Sequence, residues 1–490
     1  MIRAEWTKFR TVRGWVAAMA AAALLMIGLG LLAANGSSGS CDGAPGSVCP
    51  VVLTGPEGEQ VNDRFEFVHR TLDGDGAITA RVAELTGIIT YPPPNHDQIV
   101  TGVVPWAKAG VMIKDGTRPG SRYAAVTLTG AHGVRMQHNF VHDTAGGEGA
   151  WLRLTRTGDT LTGHVSPDGK RWTPIGDADL TGLPRTVQIG LFVTSPCDLT
   201  LKQGDLGGTI GQCRFTQATA TFDHVTPAGG WTATDVGFAG HLTDWERLHT
   251  PNGLITSGDT LTVSGTGDIG PSTEGQPIET TLSGLIAALL VVIVVAVLFI
   301  TAEYRRNLIH TTLLAFPRRT GVLAAKAAVI AAVTFATGLI AAAVVVPVCS
   351  AILRANGIPL RPVSTLTELR VIAGAAAFMA VAAVFALAVG ALLRRSAWGV
   401  IVAAVTIVLP YTLATTSILP VEAARWLLRL TPAAGLAAMQ SIPAYEQVVS
   451  NYAPQLGYYP LPPWGGLAVL CAYAAGVLAL ATVRLRRRDA

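Results

Sequence analysis

A chain of 490 residues that is 50% hydrophobic and 14% charged, with a mean hydropathy of +0.43, lies far from the roughly 25% charge of an average soluble domain. This excludes a purely water-soluble protein, and it excludes extended disorder, which needs high charge and few apolar residues. The formal charge of +4 is unevenly spread: residues 41–280 hold 26 of the 32 acidic and 16 of the 36 basic residues, leaving that block at −10 and the rest at +14.

The first fourteen residues, MIRAEWTKFRTVRG, read as an interfacial helix carrying Glu5, Trp6, Lys8 and Arg10. Crossing a bilayer takes about 20 apolar residues. Six runs qualify: Trp15–Ala34, Leu282–Ala302, Val322–Val348, Val371–Leu393, Trp398–Leu419 and Gly465–Val483. Lys326 sits near one end of the third, where its long stem can carry the charge to the interface. Basic clusters precede the first run, lie between the second and third and between the fourth and fifth, and follow the sixth. The excess of Lys and Arg on cytoplasmic loops then puts both termini inside. Residues 41–280 and the loops 349–370 and 420–464 fall outside, in a multi-pass cell-membrane protein. A cleaved signal peptide is the alternative for the first run. A lipid anchor on Cys41 is less favoured, because Ser-Gly-Ser precedes it. Residues 421–440 read as an amphipathic outer helix, interfacial or re-entrant. The basic residues flank apolar runs and form no soluble face, which argues against nucleic acid as a partner.

The acidic block reads as all-β. Runs such as FEFVHRTL, AITARVAEL, YAAVTLTG, AWLRLTR, TLTGHVS and TVQIGLFVTS recur between turn signals, with hairpin connections at Gly158-Asp159 and Asp168-Gly169. Short antiparallel strands at this spacing predict a sandwich or jelly roll. Residues 227–280, polar and Gly-rich, are expected to form a β-rich extension or a stalk. Outside the cell, Cys41 with Cys49 and Cys197 with Cys213 would each close a short disulfide loop. The spacing of Asp73, Asp75 and Glu84 fails the calcium-loop pattern, no histidine has zinc-ligand spacing, and no pair of closely spaced carboxylates suits a glycan hydrolase. Neither a metal nor a catalytic residue is expected. Trp106, Tyr123, Trp151 and Trp172 are the aromatics that would stack on a sugar ring; core packing is an equal use for each.

Two resemblances extend this reading. AGVMIKDGTRPGSRYAAV, WLRLTRTGDTLTGHVSPDGKRWTPIG, VQIGLFVTS and ATFDHV resemble concanavalin-like lectin/glucanase jelly rolls, nearest to the regulation-of-enolase-like subgroup, over about 51–226. AEYRRNLIHTTLLAFPRRTGVLAAKA resembles permease subunits of ATP-binding-cassette type-2 transporters, particularly actinobacterial ones, as do RAEWTKFR near the start and TPAAG at 431–435. The implied organisation is an interfacial helix and first span (1–40), a jelly roll inserted outside (41–226), the extension (227–280) and a permease domain (281–490).

The permease resemblance implies a dimer, homomeric or heteromeric, docked to a separate ATPase. Its coupling element would be a helix from Glu303 to about Ala315, stopped near Pro317. It carries Glu303, Tyr304, Arg305, Arg306, Thr311, Thr312, Pro317, Arg318 and Arg319. No phosphate-binding loop occurs, since Gly169-Lys170 is followed by Arg171 and lacks the upstream glycine. ATP and magnesium therefore belong to the partner, and this chain is not itself an enzyme. A cell-surface glycan is the ligand a lectin-like domain implies. A membrane-anchored carbohydrate-binding or sensor protein, without transport, is the alternative function.

Overall fold

The computed structural model describes residues 1–38, 52–91, 98–203, 209–237, 252–272, 275–305, 319–416, 418–448 and 452–488. A short helix, α1 (Ile2–Thr11), leads into α2 (Arg13–Gly36). A β-sandwich then precedes the remaining helices α3 (Leu285–Arg305), α4 (Arg319–Ala355), α5 (Thr365–Leu393), α6 (Ser396–Thr415), α7 (Val421–Leu430) and α8 (Pro463–Arg488).

Among the described residues, six helices (α2, α3, α4, α5, α6 and α8) are long and apolar enough to cross a membrane, and each overlaps an apolar run read from the sequence. Their composition explains the bundle. α5 carries many Ala and Gly along its length and packs against α3, α4, α6 and α8; small residues allow such close approach. α2, α6 and α8 lie outside it with much of their apolar surface uncovered, including Leu24, Leu32, Trp398, Val405 and Leu480. A helix apolar all round but bare on its outer face needs an apolar surrounding. This supports a membrane location.

The segment expected as one amphipathic helix over 421–440 divides in two. α7 is amphipathic, with Trp426 and Leu430 exposed and Ala424 and Leu428 buried. Residues 432–439 then form a 3-10 turn, Pro432–Met439, buried along its whole length and packed on α5 and α8. Glycine makes room for it: a Cβ on Gly466 of α8 would stand 2.2 Å from the Ala434 carbonyl oxygen, and one on Gly374 of α5 2.5 Å from that of Ala438. Arg370 donates to the carbonyls of Ala438 and Gln440, and Glu279 accepts from the Ser441 N–H. The turn is held at its end from two sides.

The sandwich is antiparallel throughout its pairings. In chain order its strands are β1 (Val61–Asp63), β2 (Phe65–Asp73), β3 (Gly76–Thr90), β4 (Ile99–Thr101), β5 (Lys108–Lys114), β6 (Tyr123–Thr129), β7 (Val134–His138), β8 (His142–Ala145), β9 (Trp151–Thr157), β10 (Thr160–Ser166), β11 (Thr173–Asp179), β12 (Thr186–Thr194), β13 (Asp198–Gln203), β14 (Thr209–Thr226), β15 (Thr232–Val236), β16 (Gly253–Ser257), β17 (Thr260–Gly265) and β18 (Ile269–Pro271). One sheet runs β15-β2-β12-β5-β6-β7-β8. The other runs β11-β10-β9-β3-β14-β17-β16, with β13 beside β14 and β4 beside β3. The expected hairpins at Gly158 and Gly169 are present, both glycines at positive φ. The segment 227–280 supplies β15 to one sheet, β16 and β17 to the other, and β18 to a ribbon with β1.

Alternation along each strand gives the core. Val111, Ile113, Val126 and Leu191 face Ile78, Leu152, Leu154 and Phe222 between the sheets. The opposite face of the seven-stranded sheet is also covered. Phe65, Phe67, Met112, Tyr123 and Phe192 lie in a second cluster with Val61 of β1 and Ile269 of β18.

The sandwich and the segment after it meet the helices at their near end. The Gln447 side chain donates to the Val141 carbonyl, and Gln276 exchanges backbone hydrogen bonds with Pro359 and Arg361. At the same end Asn356, just past α4, ties it to α2 by donating to the Ala34 and Ser37 carbonyls.

Candidate functional site

An isolated helix of ten residues is marginal in water, so α1 must be held by what it touches. It is held at the end of the bundle remote from the sandwich. Phe9, 3% exposed, meets Phe299 of α3 edge-on at 5.5 Å and Trp15 at 5.8 Å, and Trp15 meets Phe299 at 5.2 Å.

Four charges sit beside this aromatic group. Lys326, fully buried near the start of α4, donates from Nζ to Glu5 Oε2 at 2.6 Å and to Glu303 Oε1 at 2.8 Å. It lies 4.4 Å from the centroid of the Phe299 ring. Lys8 Nζ reaches Glu5 Oε1 at 2.9 Å and Glu303 Oε1 at 3.1 Å. Two carboxylates and two ammonium groups thus alternate around one joint between α1, α3 and α4. Burial opposes ionisation of Glu5, but Lys326 and then Lys8 outweigh it and hold this carboxyl below its ordinary range. Burial likewise opposes the charge on Lys8, and Glu5 and Glu303 raise it above the usual lysine range. Lys326 does not reach for an interface as its position near a span end suggested; its charge is met inside by two acids.

This joint brings together the two groups of residues singled out in the sequence. Glu5 and Lys8 come from the N-terminal helix; Trp6 and Arg10, on the same helix, are exposed. Glu303 comes from the expected coupling segment. Tyr304 follows it, with the Arg394 guanidinium 5.2 Å from its ring. Arg305 ends α3 and Arg319 opens α4. Arg306, Thr311, Thr312, Pro317 and Arg318 lie outside the described residues, as do Cys41 and Cys49. Lys326 itself was legible only indirectly. Glu5 and Glu303 are two of the six acids outside 41–280, and each stands close to the end of an apolar run.

In the sandwich, Cys197 and Cys213 are joined, with Cα atoms 5.5 Å apart. The four aromatics separate into two pairs. Tyr123 is fully buried against Phe140, and Trp106, 7% exposed, stacks on His132 at 3.9 Å. Neither is available to a sugar: Trp106 is buried against His132, and the face that Tyr123 points from is covered by the β1–β18 ribbon. That cover is pinned by a fully buried ion pair, Lys114 to Asp63 at 2.7 Å, with the ammonium 5.5 Å from the Tyr123 ring. Trp151 and Trp172 are half-exposed on the outer face of the nine-stranded sheet. The Arg153 guanidinium lies 3.8 Å from the Trp172 ring centroid, and Arg81 6.0 Å from that of Trp151. Asp75 accepts from the Gly158 N–H, and Asp73 pairs with Arg185, so these acids order turns. Among the described residues no three His, Cys, Asp or Glu side chains gather as a metal site.

One carboxyl pair escaped the sequence reading. Glu66 of β2 and Asp235 of β15 are direct cross-strand partners. Glu66 is 3% exposed. Burial, then the Asp235 carboxylate bonded to it, push Glu66 up to about 8. This shift favours a protonated Glu66 at neutral pH. The two residues are 169 positions apart in the chain, and the pairing of an edge strand brings them together.

Compared with protein-family models and with curated proteins, the chain matches none. Solved structures give distant likenesses. A functionally unknown protein from Saccharomyces cerevisiae is 15% identical over 34% of this chain and 72% of its own, with a TM-score of 0.16. SCP-B, a member of the Eqolisin family of peptidases in a complex with the tripeptide Ala-Ile-His, is 10% identical over 42% of this chain and 98% of its own, at 0.22. Scytalido-glutamic peptidase with a transition state analog inhibitor is 11% identical over the same shares, at 0.23. At these TM-scores the likeness carries no functional argument.

Proposed function

We propose that the chain is the membrane-spanning subunit of an ATP-binding-cassette exporter. In this reading it crosses the membrane six times with both termini cytoplasmic. The sandwich, a concanavalin-like jelly roll, stands outside, and the segment 303–319 docks a separate ATPase. A second permease copy or a related one completes the dimer.

The observation that carries the reading is the joint of Glu5, Lys8, Glu303 and Lys326. It fastens α1 to the two helices between which the segment 303–319 runs. A passive anchor has no use for such a joint, since removing charges from water costs several kcal/mol per ion, on the order of what their pairing returns. A coupling element has a use for it: a displacement applied to the segment moves α1, α3 and α4 together as a rigid body. α5, packed against α3 and α4, passes the movement to the bundle interior. ATP and magnesium are bound by the partner in this account. The second reading, a membrane-anchored carbohydrate-binding or sensor protein, is favoured by half-exposed Trp151 and Trp172.

A pull-down of the full chain from its native membrane, with mass spectrometry of what accompanies it, tests the proposal. The expected result is an ATP-binding-cassette ATPase, lost when Arg318→Glu and Arg319→Glu are introduced together. Recovery of cell-wall material with no ATPase overturns the transport reading in favour of the second.

A further inference from the structure

The outer face of the nine-stranded sheet carries a cluster that the coupling reading does not use. Trp151 and Arg153, two positions apart on β9, project on one face about 7 Å apart. Thr79 and Arg81 of β3 are their cross-strand partners. Arg153 Nε donates to Thr79 Oγ1 at 2.9 Å, and its guanidinium carbon lies over the Trp172 ring, 3.8 Å from the centroid. His224 lies 4.9 Å from Trp151 between ring centroids. Arg81 is ion-paired with Asp223. Arg153 has no carboxylate within ion-pair reach among the described residues. An uncompensated guanidinium, fixed by an indole and a threonine, thus stands on the face of a block whose net charge is −10.

We infer that this face binds an acidic polysaccharide. Half-exposed indoles offer flat apolar surface to the C–H faces of sugar rings. A pre-oriented guanidinium fork accepts a carboxylate in two parallel hydrogen bonds. The half-buried Thr79 hydroxyl beside the guanidinium can still donate to a sugar oxygen. The other candidate face of the domain is closed by the β1–β18 ribbon. This deepens the reading of the sandwich as a lectin-like domain and is independent of ATPase docking.

The test is binding of polygalacturonate and of neutral dextran to the full chain in nanodiscs, at two salt concentrations. Polygalacturonate is expected to bind at least tenfold tighter than dextran and to weaken with salt. Arg153→Ala and Trp172→Ala should each weaken it about tenfold with unchanged thermal unfolding. Arg153→Lys, which keeps charge and loses the planar fork, should fall between. Equal binding of both polymers, binding of neither, or binding that survives Arg153→Ala and Trp172→Ala overturns the inference. Saccharide binding by a chain that recovers no ATPase would remove the transport reading alone.

Discussion

Replacing Lys326 by methionine tests the joint at its centre. The substitution keeps the stem and removes the one charge that touches both Glu5 and Glu303 from inside. Glu5 and Glu303 are then left against a single ammonium, Lys8, whose side chain is 41% exposed. Removing one partner of a buried ion pair costs about 3–5 kcal/mol, because the remaining charge stays uncompensated. The stem of methionine fills much of the lysine volume, so packing should change little. The cost is expected to fall on the docking of α1, which has little stability of its own. A loss of 3 kcal/mol is roughly a hundredfold change in the docked-to-free ratio. Hydrogen exchange of the amides in 2–11, in nanodiscs, should lose protection by about that factor, and trypsin should cut after Lys8 and Arg10. The double variant Glu5→Gln with Lys326→Met should cost less than the sum of the two single changes. Unchanged protection in Lys326→Met, or strictly additive losses in the double variant, would refute the reasoning.

Three further outcomes are expected. Glu66, raised from an ordinary 4.5 to about 8, holds a proton in the folded state that the unfolded chain releases. Sandwich stability should therefore fall as pH rises from about 4.5 to 8, by a few kcal/mol at roughly 1.4 per unit; Glu66→Gln should flatten the melting temperature across that window. Gly466→Val should destabilise the bundle by about 1–3 kcal/mol through overpacking against residues 432–439, read as a lower melting temperature in detergent, while Gly28→Val, at a site with nothing within 4 Å, should not. Cys197→Ser should remove about 3 kcal/mol of loop-closure stabilisation, seen as faster hydrogen exchange in β13 and the adjoining part of β14.

Much of the architecture was legible because it rests on local periodicity. Alternation in YAAVTLT and AWLRLTR marks strands by itself, and an unbroken run such as LIAALLVVIVVAVLFI marks a helix suited to an apolar surrounding. Strands β15 to β17 were less visible, being short and rich in Thr and Gly, and held mainly by their neighbours. What alternation cannot tell is which face of a strand is covered. Tyr123 and Trp151 have the same pattern around them, yet one lies under a ribbon formed by residues about 200 positions apart and the other is half-exposed. The same limit hid the partners of Lys326 and the Glu66–Asp235 pair, which depend on contacts between distant segments. The buried turn at 432–439 was legible only as one choice, interfacial or re-entrant, for 421–440: PAAGLAAM has the composition of a helix, and its depth follows from the glycines of α5 and α8.

The central claim, that 303–319 meets a separate ATPase, is tested most directly by a photo-crosslinking residue placed at Thr312 in the native membrane. The account predicts an adduct with a protein that carries a phosphate-binding ATPase loop, and no such adduct from the same residue at Thr181 in the sandwich. Adducts from Thr312 with lipid alone, or with no nucleotide-binding protein, would contradict it.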